Sequence, residues 1–223
     1  MGELALRAAG RALAERRLPA DARQPEKGPL TGRGILLVRH ARSAARHRGG
    51  WIDAAGVGRW RATYDAAGVD DSDVPPAALV AQAARAGTLA ASDAPRAIAS
   101  ATRLAPGREV AVSPLLRETP LPVPAWLPMR WPLGVWEACI HFQWGYRILR
   151  GVDAPEEELH RAVAAADWLA ALTRDGSLVV AVTHGVFRRL LAGRLLAMGW
   201  RAGPGRRSYG HWSAWALVAR ARD

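Results

Sequence analysis

The sequence predicts an α/β fold with a mainly parallel central sheet. Three observations carry that expectation. The runs Gly34–Val38 and Ser177–Val182 are continuously apolar rather than alternating, as in strands buried on both faces. Helix-length segments separate the apolar runs, bounded by proline, glycine or serine. The chain has 223 residues, half of them hydrophobic, enough for one domain with a substantial core.

Taken in order, Gly34–Val38 is the first strand, and it ends abruptly in Arg39-His40-Ala41-Arg42-Ser43. Trp51 to Ala67 is expected to be a helix, stopped at Gly68. Pro75 and Pro76 open a second helix running to about Arg85. Thr88–Ala91 is a second strand, and Ser92-Asp93 suits the cap of a helix from Pro95 to about Leu104. Glu109–Val112 is a third strand. Residues 113–133 carry six prolines and resist regular structure. A Trp-rich helix is expected over Gly134–Arg150. Pro155 opens another, with Glu156, Glu157 and Glu158 in its first turn, where the helix dipole favours acids. After the fourth strand, Ser177–Val182, a helix runs from Val186 to about Met198, and Ser213–Ala219 makes the last strand.

Residues 1–33 read differently. Arg7, Arg11, Arg16 and Arg17 are spread among short apolar stretches, followed by a Pro/Gly-rich linker. The expectation is a basic, poorly packed N-terminal arm ahead of a single domain over 34–223. No signal-peptide shape and no long uncharged apolar run is present, so a cytoplasmic protein without a transmembrane helix is expected. One cysteine, Cys139, excludes an internal disulfide and a cysteine-based zinc cluster.

The formal charge of +11 invites readings as a nucleic-acid, membrane-surface or anionic-substrate protein. Composition weakens that inference. Lys27 is the only lysine and asparagine is absent, the skew of a GC-rich coding sequence. No nucleic-acid motif accompanies the arginines, and the aromatics are not interleaved with them, so no specific nucleic-acid partner is expected.

The informative residues stand at strand ends. His40 follows the first strand and His184 the fourth. Open α/β sheets bind ligands beyond the carboxyl ends of their strands, so both histidines face one crevice. Arg39 adjoins His40, and Arg96 lies in the first turn of the helix after the second strand. A guanidinium there is a fixed fork for phosphate oxygens. Glu118, just past the third strand, is a carboxyl group suited to protonating a leaving oxygen.

These segments resemble a known family. Leu37-Val38-Arg39-His40-Ala41-Arg42-Ser43 is similar to the strand-plus-Arg-His-Gly signature of the histidine phosphatase superfamily, the phosphoglycerate-mutase-like fold. Ser92-Asp93-Ala94-Pro95-Arg96-Ala97 resembles its Ser-x-x-x-Arg-Ala segment, Leu116-Arg117-Glu118 its Leu-Arg-Glu motif, and Val182-Thr183-His184-Gly185 its second histidine motif. The four occur in the family's order across residues 34 to about 219.

The resemblance implies a three-layer α/β/α sandwich and a metal-independent phosphatase (a phosphoric monoester hydrolase) without a cofactor. His40 would be the phosphorylated nucleophile. Arg39, Arg96 and His184 would hold the phosphoryl oxygens, and Glu118 would be the general acid and then the base. Substrates would be phosphorylated small molecules or phosphoproteins. The family's glycine is Ala41 here, Arg42 and Arg46 stand where other residue types are usual, and Thr119–Pro124 replaces the usual continuation. These departures point away from mutase activity and leave Arg42, Ser43 and Arg46 as candidate substrate contacts. The other readings are a catalytically weak phosphate-binding or scaffold member of the same fold, or a basic nucleic-acid-binding protein.

The Trp/Pro-rich insert at about 119–152 holds Trp126, Trp131, Trp136 and Trp144, with Phe142 and Tyr146. It reads as an apolar lid, as aromatic packing onto the core, or as a contact surface. Cys139 is expected buried, and His141, His160 and His211 structural.

Overall fold

The computed structural model describes residues 32–47, 49–124, 126, 128–149, 154–203 and 208–219. Nearly all of the expected N-terminal arm, 1–31, lies outside them. Of the described residues, those within 24–46, 64–119 and 156–223 form one compact unit, and those within 47–63 and 120–155 form a smaller one.

The larger unit is built on a six-stranded sheet. Its strands are β1 (Gly34–Arg39), β3 (Thr88–Ser92), β4 (Ala111–Ser113), β6 (Leu178–Thr183), β7 (Arg201–Ala202) and β8 (Ala214–Val218). The spatial order is β4-β3-β6-β1-β8-β7. Pairings β4/β3, β3/β6 and β6/β1 are parallel, whereas β8 runs antiparallel to β1 and to β7. The mainly parallel α/β expectation is borne out.

Two apolar clusters coat the two sheet faces, because successive side chains of a strand point to opposite sides. Leu36, Val38, Leu89, Ala91, Val180 and Val182 pack with residues of α2 (Ala77–Arg85) and α3 (Pro95–Leu104). Ile35, Leu37, Ala90, Val179 and Ala181 pack with residues of α5 (Glu156–Leu172) and α6 (Gly185–Ala197). Every residue of β6 is buried, which is why the sequence reads as unbroken aliphatic there.

Several boundaries differ from expectation. The segment expected as a helix from Trp51 begins with a two-residue strand, β2 (Trp51–Ile52), and α1 spans Ala54–Ala66. Asp53 explains the later start: its Oδ1 accepts from Gly56 N at 2.7 Å, satisfying a free donor of the first turn. Helix α3 does begin at Pro95, but its N-cap is Ala94 and not Ser92-Asp93. The Ser92 hydroxyl accepts from Ala94 N at 3.3 Å and is otherwise engaged by His184. The third strand is displaced to Ala111–Ser113 and runs into a 3₁₀ turn, Pro114–Leu116. The short β7 was not expected.

In the smaller unit β2 pairs antiparallel with β5 (Trp131–Pro132), and the Trp-rich helix is α4 (Leu133–Leu149). Trp136 is fully buried with Val57 and Ile140, its Nε1–H donating to Ile52 O at 2.8 Å. This part of the insert therefore packs into a core of its own unit. Trp126 and Phe142 are exposed, and Cys139 is half-buried rather than buried. Among the described residues no helix is long and apolar enough to cross a membrane.

Candidate functional site

Sheet register brings the two histidines together. Arg39 of β1 lies opposite Thr183 of β6, so His40 and His184 leave adjacent strand ends side by side. Their ring centroids are 5.0 Å apart. On the other flank of β6, Ala91 lies opposite Val182, which carries Ser92 to the same edge.

Hydrogen-bond partners define both tautomers. His40 Nδ1 is 2.6 Å from Ala41 O, and a carbonyl only accepts, so Nδ1 carries the proton. The Nε2 lone pair then has no hydrogen-bond partner among the described residues. For His184, Arg96 Nη2 lies 3.3 Å from Nδ1, and a guanidinium only donates, so Nδ1 accepts. The His184 proton is on Nε2, 3.0 Å from Ser92 Oγ.

Burial keeps both rings neutral. It pushes the His40 imidazole down to about 3, opposed by the Ala41 hydrogen bond and reinforced by Arg96, Arg39 and His211. His184 is held well below the usual histidine range, again chiefly by burial, then by His40 and the two arginines.

The guanidiniums are anchored but not exhausted. Arg39 Nη1 donates to Tyr209 O, and its side chain lies against Gly185, where a Cβ would stand 3.6 Å from Nε. Arg96 is buried over the Tyr64 ring at 4.6 Å, donates to Tyr64 O at 3.2 Å and pairs with Asp65 at 3.1 Å. In both residues the buried Nε–H has no partner among the described residues. Both guanidiniums act on the His40 ring electrostatically, which brings two fixed cations to the histidine pair.

Glu118 follows the 3₁₀ turn and caps α6. Its carboxylate accepts from Phe187 N at 2.8 Å, from Val186 N at 3.3 Å, and from Thr119 N at 3.0 Å. The loop is tied from outside. Arg161 of α5 donates to Leu115 O at 3.0 Å and Arg117 O at 2.8 Å. Arg117 grips Asp93 through two nitrogens, linking the loop to the end of β3.

The structure places Arg42, Ser43 and Arg46 in a neighbouring loop pairing. Arg42 and Arg46 form ion pairs with Asp70, and Arg42 N donates to Asp73. Ser72 and Arg46 hold the Asp70 carboxyl down at about 2. Ser43 is buried, and its hydroxyl accepts from Ala45 N at 3.2 Å. All three have partners within that loop pairing.

Four site residues were not singled out from sequence. Ser92, read there as a helix cap, holds His184. Tyr64 supports Arg96, and Arg161 braces the Glu118 loop. His211, read as structural, has its ring 5.7 Å from that of His40.

No family model matches the chain, and no curated protein matches it. Among solved structures it is similar to a mutant phosphoserine phosphatase from Entamoeba histolytica in complex with phosphoserine. That match has 14% identity over 84% of this chain and 91% of that one, with a TM-score of 0.47. It is also similar to a mycobacterial hydrolase, at 19% identity over 74% of this chain and 82% of that one, TM-score 0.45. A third is an open-reading-frame product of Mycobacterium tuberculosis, at 20% identity, 83% and 97% coverage, and a TM-score of 0.39.

Proposed function

We propose that this chain is a phosphomonoester hydrolase of the histidine phosphatase kind, working without a metal through a phosphohistidine on His40. One observation carries the reading. His40 is a buried neutral imidazole whose Nδ1–H is fixed on Ala41 O, leaving Nε2 as a lone-pair donor in the field of the Arg39 and Arg96 guanidiniums.

The chemistry divides one hard displacement into two. In the first step the Nε2 lone pair forms an N–P bond as the P–O bond to the leaving group breaks. The leaving oxygen keeps that electron pair and takes a proton from the protonated form of Glu118. In the second step a water oxygen bonds to phosphorus, the N–P bond breaks back onto Nε2, and the water proton goes to the Glu118 carboxylate. Net, a monoester and water give an alcohol and inorganic phosphate. Arg39 and Arg96 neutralise the transferring oxygens, a role in which losing one donor typically costs about 10²–10³ in rate. In this reading His184 acts mainly by holding Arg96, since both its nitrogens are engaged.

The test is hydrolysis of an aryl phosphate in EDTA, followed by trapping an acid-labile phosphoryl label. Wild type should hydrolyse and carry the label, and His40→Ala should do neither. Hydrolysis surviving that substitution overturns the reading.

A further inference from the structure

Residues 208–213, just ahead of β8, are held by more bonds than a surface turn needs. Arg188 of α6 is fully buried, with no carboxylate partner among the described residues. Its guanidinium lies 4.3 Å from the Trp215 ring and donates to Ser213 O, to Ser208 O at 2.8 Å and to Ser213 Oγ at 3.0 Å. Burial pushes this arginine down to about 10. The Trp215 indole N–H also donates to Ser208 O, at 2.9 Å.

The same turn is stitched to the end of β1. Arg39 N donates to Ser213 O at 2.9 Å, and Trp212 N donates to Arg39 O at 3.1 Å. Trp212 itself sits at φ 58°, a left-handed backbone that a bulky residue rarely adopts. Strain of this kind persists only where surrounding bonds over-determine it, and it clusters at working sites. What the turn presents is His211.

Three imidazoles thus meet at the sheet edge. His184 lies nearer to His40, but both its nitrogens are taken. The His211 ring lies 5.7 Å from His40, tilted by 52°, and makes no hydrogen bond among the described residues. It also borders Arg39, the cation expected on the phosphoryl oxygens.

Resting on the phosphohistidine reading above, we infer that His211 donates a hydrogen bond to an oxygen of the phosphoryl group at His40 Nε2. A neutral imidazole always keeps one N–H, so the contact does not need His211 to be protonated.

The experiment compares wild type, His211→Ala and His211→Gln. Each is assayed with an aryl and an alkyl phosphate, and titrated with inorganic phosphate. His211→Ala should lose about 10- to 100-fold in kcat/KM on both substrates, the cost of one donor to a charged group. Its phosphate affinity should fall about tenfold, and His211→Gln should regain part of both. Changes under about twofold in rate and phosphate affinity overturn the inference. So does a loss confined to the alkyl phosphate, which would make His211 a leaving-group acid instead. Absence of an acid-labile label on the wild type sinks the phosphohistidine reading and this inference with it, whereas a labelled wild type with rate and phosphate affinity unchanged in His211→Ala overturns this inference alone.

Discussion

The Nε2–H of His184 is spent on Ser92, 3.0 Å away, at a point where neither side chain touches solvent appreciably. That bond fixes the ring so that Nδ1 faces Arg96. Ser92→Ala should therefore strand a buried donor and cost about 1–3 kcal/mol of stability. Urea denaturation with an unchanged slope is the measurement, and Ser92→Thr, which keeps the hydroxyl, should recover most of the loss. Equal stability of Ser92→Ala and wild type would mean that the bond is not formed.

Phe187 N and Thr119 N donate to Glu118 Oε1 and Val186 N to Oε2, so a glutamine oxygen keeps the first two contacts and gives up only the 3.3 Å one. Glu118→Gln should fold normally and lose the proton it passes. Its rate should drop by about 10²–10⁴ on alkyl phosphates and far less on nitrophenyl phosphate, whose leaving group needs no proton. A leaving-group series reads the difference. An unchanged rate across the series would assign Glu118 to capping α6 alone.

Arg161 bears on that carboxylate from two directions. It holds the carbonyls of Leu115 and Arg117 ahead of Glu118, and its guanidinium stacks 3.9 Å from the Phe187 ring, whose N–H holds the carboxylate. It also satisfies the largely buried Glu158, with a 3.3 Å contact from Nε to Oε1. Arg161→Met should cost about 3–5 kcal/mol, because Glu158 is left as an uncompensated charge. Adding Glu158→Gln should return part of that stability while activity stays low. Recovery of activity along with stability would remove the positioning role from Arg161.

Strand runs and strand-end histidines were legible because parallel strands buried on both faces leave an unbroken aliphatic signature, as in Val179–Val182. Chain direction was not. Nothing in Ser213–Ala219 tells that β8 runs antiparallel to β1, yet that reversal is what carries His211, just before β8, to the edge where His40 stands. Ser92 was visible but misassigned, since a serine before a helix suits a cap as well as a histidine partner. Arg161 and Arg188 were invisible for compositional reasons. Among thirty arginines, only tertiary contact separates a buried clamp from a solvated one. Departure from the family pattern made Arg42 and Arg46 candidate substrate contacts, and the structure shows both paired with Asp70.

Two buried neutral histidines also make stability depend on pH with a definite sign. His40 is pushed down to about 3 and His184 is lowered too, whereas both return to about 6.5 when the chain unfolds. Between those values the unfolded chain binds more protons than the folded one, so stability rises with pH across the window. For His40 it is fully present above about pH 6.5 and is lost as pH falls toward 3, by up to about 1.4 kcal/mol per pH unit, and His184 adds in the same direction. Asp70, held at about 2, releases its share only below the carboxylate range, so acid unfolding above about pH 4.5 should report the histidines. Denaturation midpoints measured in phosphate-free buffer should hold above about pH 6.5 and decline from there to about 4.5. His40→Gln should make that decline shallower, because it removes one of the groups that must take up a proton on unfolding, leaving His184 and His211, which burial also lowers. A flat wild-type profile over this range would show that the two rings are not held neutral by burial.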